Sequence, residues 1–147
     1  MIDNIDKKII NILGKHGRIN NKNIASQLFV SEGTIRNRIR KLTESGVLTV
    51  SGLINPNTVD DKQLVFLGIK ISSSKDLEKK AEEVSELYRV QSACITSGRY
   101  DIMIEVWVDL KYGLIDFVSK QLTTIDGIDS TESFVVLKSY NKLVVDK

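Results

Sequence analysis

The stretch from Ser31 to Gly46 (SEGTIRNRIRKLTESG) constrains this chain more than any other. It predicts a helix with Ser31 as its N-cap and Gly46 as its stop. Ile35, Ile39 and Leu42 recur at helical spacing and face a core. Arg36, Asn37, Arg38, Arg40 and Lys41 crowd the remaining surface. Four cations and an asparagine on one short helix suit phosphates and base edges. Taken alone, the stretch also fits an ordinary solvated charged face, because charge runs on helices are common.

The residues before it favour the first reading. Asn20 to Leu28 predicts a second short helix, capped by Asn20, with Ile24, Ala25 and Leu28 on its buried side. Asp3 to His16 predicts a first helix, with Ile5, Ile9, Ile12, Leu13 and His16 along one face and Gly17 ending it. Asp3 caps it, and Asp6 complements its positive end. Three short helices, the last basic and close behind the second, make a helix-turn-helix unit. Val47 to Val50 and Leu53-Ile54 read as extended, like a strand or wing after such a unit.

Charge distribution agrees. Residues 1–60 carry nine Lys and Arg against five Asp and Glu, and residues 61–147 carry twelve against fourteen. The basic excess sits on the helical half, as nucleic-acid binding requires. With 41% apolar and 27% charged residues the chain is globular. The single cysteine, Cys94, excludes an internal disulfide framework and reads as a small buried residue. No signal peptide and no long apolar run is read, so a cytoplasmic location without membrane partners is expected.

The only proline, Pro56, marks a boundary. Residues 1–54 are expected to form the helix-turn-helix domain, 55–63 a linker, and 64–147 a second domain. In the latter, Leu64 to Ile71, Val90 to Thr96, Asp101 to Val108 and Thr131 to Lys138 read as strands. Lys75 to Tyr88 reads as a helix, and Asp109 caps another running to about Leu122. The order β-α-β-β-α-β is that of a ferredoxin-like domain. The fold class is therefore α+β: a winged-helix-like helix-turn-helix domain followed by a ferredoxin-like βαββαβ domain. Ile102, Ile104, Val106 and Val108 share one strand face. Trp107, Met103 and Phe134 mark the opposite face, which needs a second subunit to cover it.

This layout resembles the Lrp/AsnC, or feast/famine, transcriptional regulators. Asp3, Asp6, Ile9 and Ile10 match the first part of that family's N-terminal signature, followed by Gly17, Arg18, Ile24 and Ala25. Ser31, Thr34, Ile35, Arg38, Ile39, Leu42, Gly46, Val47 and Leu48 match the rest. Gly98, Tyr100 and Asp101 match the Gly-x-Tyr-Asp of the second domain. The turn between the second and third helices departs from the family. It carries Phe29 where Gly or Asn is common, and a bulky aromatic disfavours positive φ. Val50-Ser51 replaces a Gly-Tyr pair. The resemblance implies homodimers formed through the second domain, assembly of dimers into octamers, and recognition of a pseudo-palindromic double-stranded DNA site. It also implies an amino acid or related effector bound between subunits, altering DNA affinity or assembly.

Ser31, Thr34, Arg36, Asn37, Arg38 and Arg40 are the DNA-contact candidates, with Thr34, Lys22 and Lys41 suited to phosphates. Arg38 also fits a salt bridge within the domain. Gly98, Arg99, Tyr100 and Asp101 are the effector candidates, with Thr131 and Ser133 beside them. Gly98 would allow close backbone approach, Tyr100 would wall the pocket, and Asp101 would pair with an α-ammonium. Asp101 equally fits a residue that holds a turn closed. No metal, cofactor or catalytic set is expected: His16 is the only histidine and no nucleophile–base pair is visible. A nucleoid-type architectural protein of low sequence specificity and no effector is the alternative function.

Overall fold

The structure is a computed structural model that describes residues 1–146. They divide into two compact units, Met1–Ser51 and a second beginning at Gly52.

The first unit contains α1 (Asn4–Lys15), α2 (Asn21–Leu28) and α3 (Glu32–Glu44). A reciprocal capping box starts α1: the Asp3 carboxylate accepts from the N–H groups of Ile5 and Asp6, while the Asp6 carboxylate accepts from Asp3 N–H. Asn20 caps α2 and Ser31 caps α3. Ile9, Ile24, Ala25 and Ile35 form the core, with Leu13, Leu28, Val30 and Ile39 around it. Ala25 of α2 is buried in the same cluster as Ile35 of α3. His16 lies at the exposed C-cap of α1 rather than on the buried stripe.

Phe29 departs from expectation. It adopts the left-handed region (φ 56, ψ 42) and ends α2 there. The extended reading of Val47 to Val50 is also corrected: these residues form no strand. Ile54, which falls within the second unit, forms an isolated bridge with Val144 of the same unit.

The second unit contains β1 (Lys62–Ile71), α4 (Leu77–Ser85), β2 (Val90–Ile95), β3 (Ile102–Asp109), α5 (Gly113–Asp116) and β4 (Ile128–Val135). The sheet is antiparallel in the order β2-β3-β1-β4. Alternation along the strands sends Val65, Leu67, Ile69, Ile102, Ile104, Val106 and Val108 to one face. There they pack with Val84, Phe117 and Leu122 from the crossovers.

Several boundaries move. Lys62 and Gln63 belong to β1, not to a linker, and β4 begins at Ile128 rather than Thr131. Asp109 does not cap a helix: it ends β3, with its carboxylate 3.1 Å from Lys62 Nζ. The crossover after it is mixed, with a π turn over Phe117–Gln121 and a 3-10 turn over Leu122–Thr124. Phe117 and Leu122, five residues apart, would diverge by about 140° on a regular α-helix. The wider turn, closed by Leu122 N–H to Phe117 O, lets both bury.

The opposite sheet face carries Leu64, Phe66, Gly68 and Lys70 of β1 beside Met103, Glu105 and Trp107 of β3. Trp107 is only 1% exposed, and its cover comes from the chain itself, correcting the expectation of a second subunit there. Val144 packs on Leu64 and Trp107, and Trp107 Nε1 donates to Asp146 Oδ1 at 3.3 Å. Lys142 pairs with Glu105, and Val145 N–H donates to Gln91 Oε1. Farther along this face Cys94 and Phe134 remain exposed, so Cys94 is not the buried residue expected.

Candidate nucleic-acid interface and ligand cleft

The buried side of α3 (Ile35, Ile39, Leu42) fixes which residues face outward. Arg36, Asn37, Arg40 and Lys41 are exposed. Arg36 and Arg40 make only exposed i,i+4 pairs, with Glu32 at 2.9 Å and Glu44 at 3.5 Å. Such pairs contribute about 0.3–0.5 kcal/mol and yield readily to a stronger anion. Among the described residues, the side chains of Asn37, Lys41 and Lys22 have no hydrogen-bond or ion-pair partner. Ser31 and Thr34 occupy each other: Ser31 Oγ accepts from Thr34 N–H at 3.1 Å and lies 2.8 Å from Thr34 Oγ1.

Arg38 makes the salt bridge within the domain that its sequence also fitted. Its Nη1 donates to Asp3 Oδ2 at 2.6 Å and to Asp6 Oδ1 at 2.8 Å. The guanidinium bolts α3 to the start of α1. Asp6 and then Asp3 hold the Arg38 proton more tightly than usual. The Asp3 carboxyl is held below the ordinary carboxylate range, first by the Asp6 N–H and then by Arg38.

In the second unit the residues Gly98 to Asp101 join β2 to β3. Gly98 has φ 138, open to glycine, and an added β-carbon would meet nothing within 4 Å. The positive φ alone favours glycine at this position. Asp101 ties the end of this turn to β1: Oδ2 accepts from Ile71 N–H at 2.9 Å, and its N–H donates to Ile69 O at 3.0 Å, while Thr96 N–H closes the turn on Asp101 O at 3.0 Å. The Tyr100 ring lies over Gly68 and meets the Phe134 ring edge-on at 6.1 Å. Its hydroxyl is buried without a partner.

Arg99 stacks toward Tyr100 and reaches Glu132 Oε2 at 3.9 Å. Lys70, Arg99, Tyr100, Ser130, Thr131 and Glu132 line a cleft of about 430 Å³. Ser133 is not among them. Thr131 and Ser133 pair with Ile69 and Leu67, whose side chains enter the helix-covered core. Ser130 and Glu132 instead share the face of Lys70. Sequence reasoning missed Lys70, Ser130 and Glu132. Lys70 was visible as the one charge at the end of an alternating apolar run.

Residues 2–49 match the family model for winged helix-turn-helix DNA-binding, and residues 64–144 match that for the Lrp/AsnC ligand binding domain. An HTH-type transcriptional regulator of Methanocaldococcus jannaschii is 32% identical over 147 residues, covering 95% of each chain. The chain belongs to the Lrp/AsnC family. The regulatory protein AsnC of Escherichia coli is 31% identical, with 95% of this chain and 92% of AsnC covered. The solved AsnC structure superposes with a TM-score of 0.69 over 95% of this chain and 94% of AsnC. A feast or famine regulatory protein from M. tuberculosis, complexed with L-methionine, shares the fold at 24% identity and a TM-score of 0.74, over 97% and 96% of the two chains.

As a Lrp/AsnC protein the chain is a DNA-binding transcriptional regulator whose second unit is the family's ligand-binding domain. Its named relatives are regulators rather than enzymes. Among the described residues, no group of His, Cys, Asp and Glu is arranged to hold a metal ion, and no helix is long and apolar enough to cross a membrane.

Proposed function

We propose that this regulator binds a specific pseudo-palindromic duplex as a homodimer, with one α3 in each of two successive major grooves. Dimers assemble further, into octamers. The observation that carries the DNA reading is the outward face of α3, where Arg36, Asn37, Arg40 and Lys41 stand free or weakly paired. Arg36 and Arg40 suit guanine edges and Asn37 adenine, while Lys41 and Lys22 suit phosphates. Exposed Phe134 and Cys94, on the part of the sheet face the chain leaves open, support pairing through the second unit.

The effector is a free amino acid held in the cleft beside Tyr100 and completed by a neighbouring subunit. Lys70 and Arg99 take its carboxylate and Glu132 its ammonium. The L-methionine complex of the structural relative supports this class of ligand.

Thermal unfolding against each of the twenty amino acids tests it. Ligand at about 100 times its Kd adds about 2.7 kcal/mol if it binds only the folded state. The expected result is a shift with one or a few amino acids, lost in Lys70→Ala and in Glu132→Gln. A shift surviving both variants moves the site elsewhere, and none at all removes the amino-acid response. Competition with unrelated DNA checks specificity: equal binding to every duplex would instead mark an architectural protein.

A further inference from the structure

Phe29 combines two features that are unfavourable for an aromatic residue. Its backbone is left-handed at φ 56, where an aromatic side chain is strained and Gly or Asn is not. Its ring is 95% exposed. The turn itself is needed, because Phe29 N–H and Val30 N–H both donate to Ala25 O and Val30 packs on the core. The phenyl group is not. Ser26, Gln27, Ser31 and Glu32 around it in sequence are polar and exposed. Phe29 is thus an exposed apolar side chain set among polar, exposed sequence neighbours. It stands two residues before the N-cap of α3, in a unit with nine Lys and Arg against four Asp and Glu, a surface suited to a polyanion.

We infer that Phe29 is a specificity-determining DNA contact, placing its ring against a thymine methyl group at the edge of the groove that α3 enters. The inference rests on the DNA-binding reading of α3. Apolar side chains read thymine through its methyl group, the one apolar feature of the major-groove edge. The strained turn holds the ring outward, ordered before DNA arrives.

The test pairs a protein change with a DNA change. Phe29→Gly and Phe29→Asn suit the left-handed backbone, so both variants fold, with a melting temperature equal to or above that of the wild type. The probe is a duplex selected from a random pool by the wild-type protein, in which each thymine in turn is replaced by uracil. At one thymine per half-site the wild type loses about fourfold in affinity, the effect of burying one methyl group. Phe29→Gly binds the thymine duplex more weakly and is indifferent to that replacement. Equal binding by wild type and Phe29→Gly, or equal losses on uracil, overturns the inference. Altered oligomer mass in Phe29→Gly with unchanged DNA affinity overturns it in favour of a protein contact. If Arg36→Ala with Arg40→Ala also binds as the wild type, the DNA reading of α3 itself has failed. If that double variant loses binding and Phe29→Gly does not, only the role of Phe29 has.

Discussion

The Tyr100 ring occupies the space a side chain on Gly68 would need: a β-carbon there would lie 2.5 Å from two ring carbons. One is Cγ, at the base of the ring, so the whole ring must move to admit a methyl group. The absent side chain on β1 therefore seats an aromatic residue of the β2–β3 turn and sets one wall of the cleft. Gly68→Ala is expected to destabilise the protein by about 1–3 kcal/mol, the usual penalty for overpacking. Tyr100→Ala in the same chain recovers part of that loss. Urea titration of the four species checks the coupling, and additive effects would mean that the ring relocates freely.

The cations of α3 separate into two groups by salt dependence. Lys41→Ala removes a charge assigned to phosphate and lowers the log–log salt slope of binding by about one. Arg38→Ala weakens binding and lowers the melting temperature while leaving that slope unchanged, because its charge is neutralised at Asp3 and Asp6. Fluorescence anisotropy with a labelled duplex from 50 to about 200 mM salt distinguishes the two.

The same clamp fixes the sign of one pH effect. The Asp3 carboxyl titrates below its ordinary range when folded, so the unfolded chain takes up that proton first. Its stabilising contribution is fully present above the ordinary carboxylate range and disappears as pH falls through the lowered value. Glu83, held down mainly by Lys80, acts in the same direction in the second unit. Unfolding followed between about pH 6 and 2 should show an acid-dependent loss that is smaller in Asp3→Asn. An identical profile in that variant would remove Asp3 as a source of the acid sensitivity.

Local signals made the first unit legible. Caps at Asp3, Asn20 and Ser31 and the 3.6-residue stripe of Ile35, Ile39 and Leu42 are written within a few residues of where they act. The β-α-β-β-α-β succession of elements was legible from changes of period, and the shared face of Ile102, Ile104, Val106 and Val108 from alternation. The cleft was not. Whether Thr131 or Glu132 faces Lys70 depends on the register of β4 against β1, a contact some sixty residues apart in the chain. The Arg38 clamp spans 35 residues to Asp3, and sequence spacing left it undecided between salt bridge and DNA. Phe29 failed for the opposite reason: local preference forbade what the packing of Val30 imposes.

The segment after β4 was unread, yet it decides how Trp107 is buried. A strand or helix period would have announced it, but residues 139–146 have neither. They cross the sheet held by separate contacts: Asn57 with Ser139, Lys142 with Glu105, Val144 with Ile54, and Asp146 with the indole N–H. Trp107 is the only tryptophan in the chain, so its fluorescence reports this docking alone. Val144→Ala removes two buried methyl groups from against the ring and is expected to destabilise by about 1–2 kcal/mol. Val144→Asp places an unpaired carboxylate beside the indole and should release the segment, since a buried unpartnered charge is far less tolerable than a cavity. The emission maximum then moves to the red and becomes quenchable by iodide, while Val144→Ala leaves it nearly in place. An unshifted, protected tryptophan in Val144→Asp would mean that another surface, a second copy of the chain, covers Trp107 when the segment leaves.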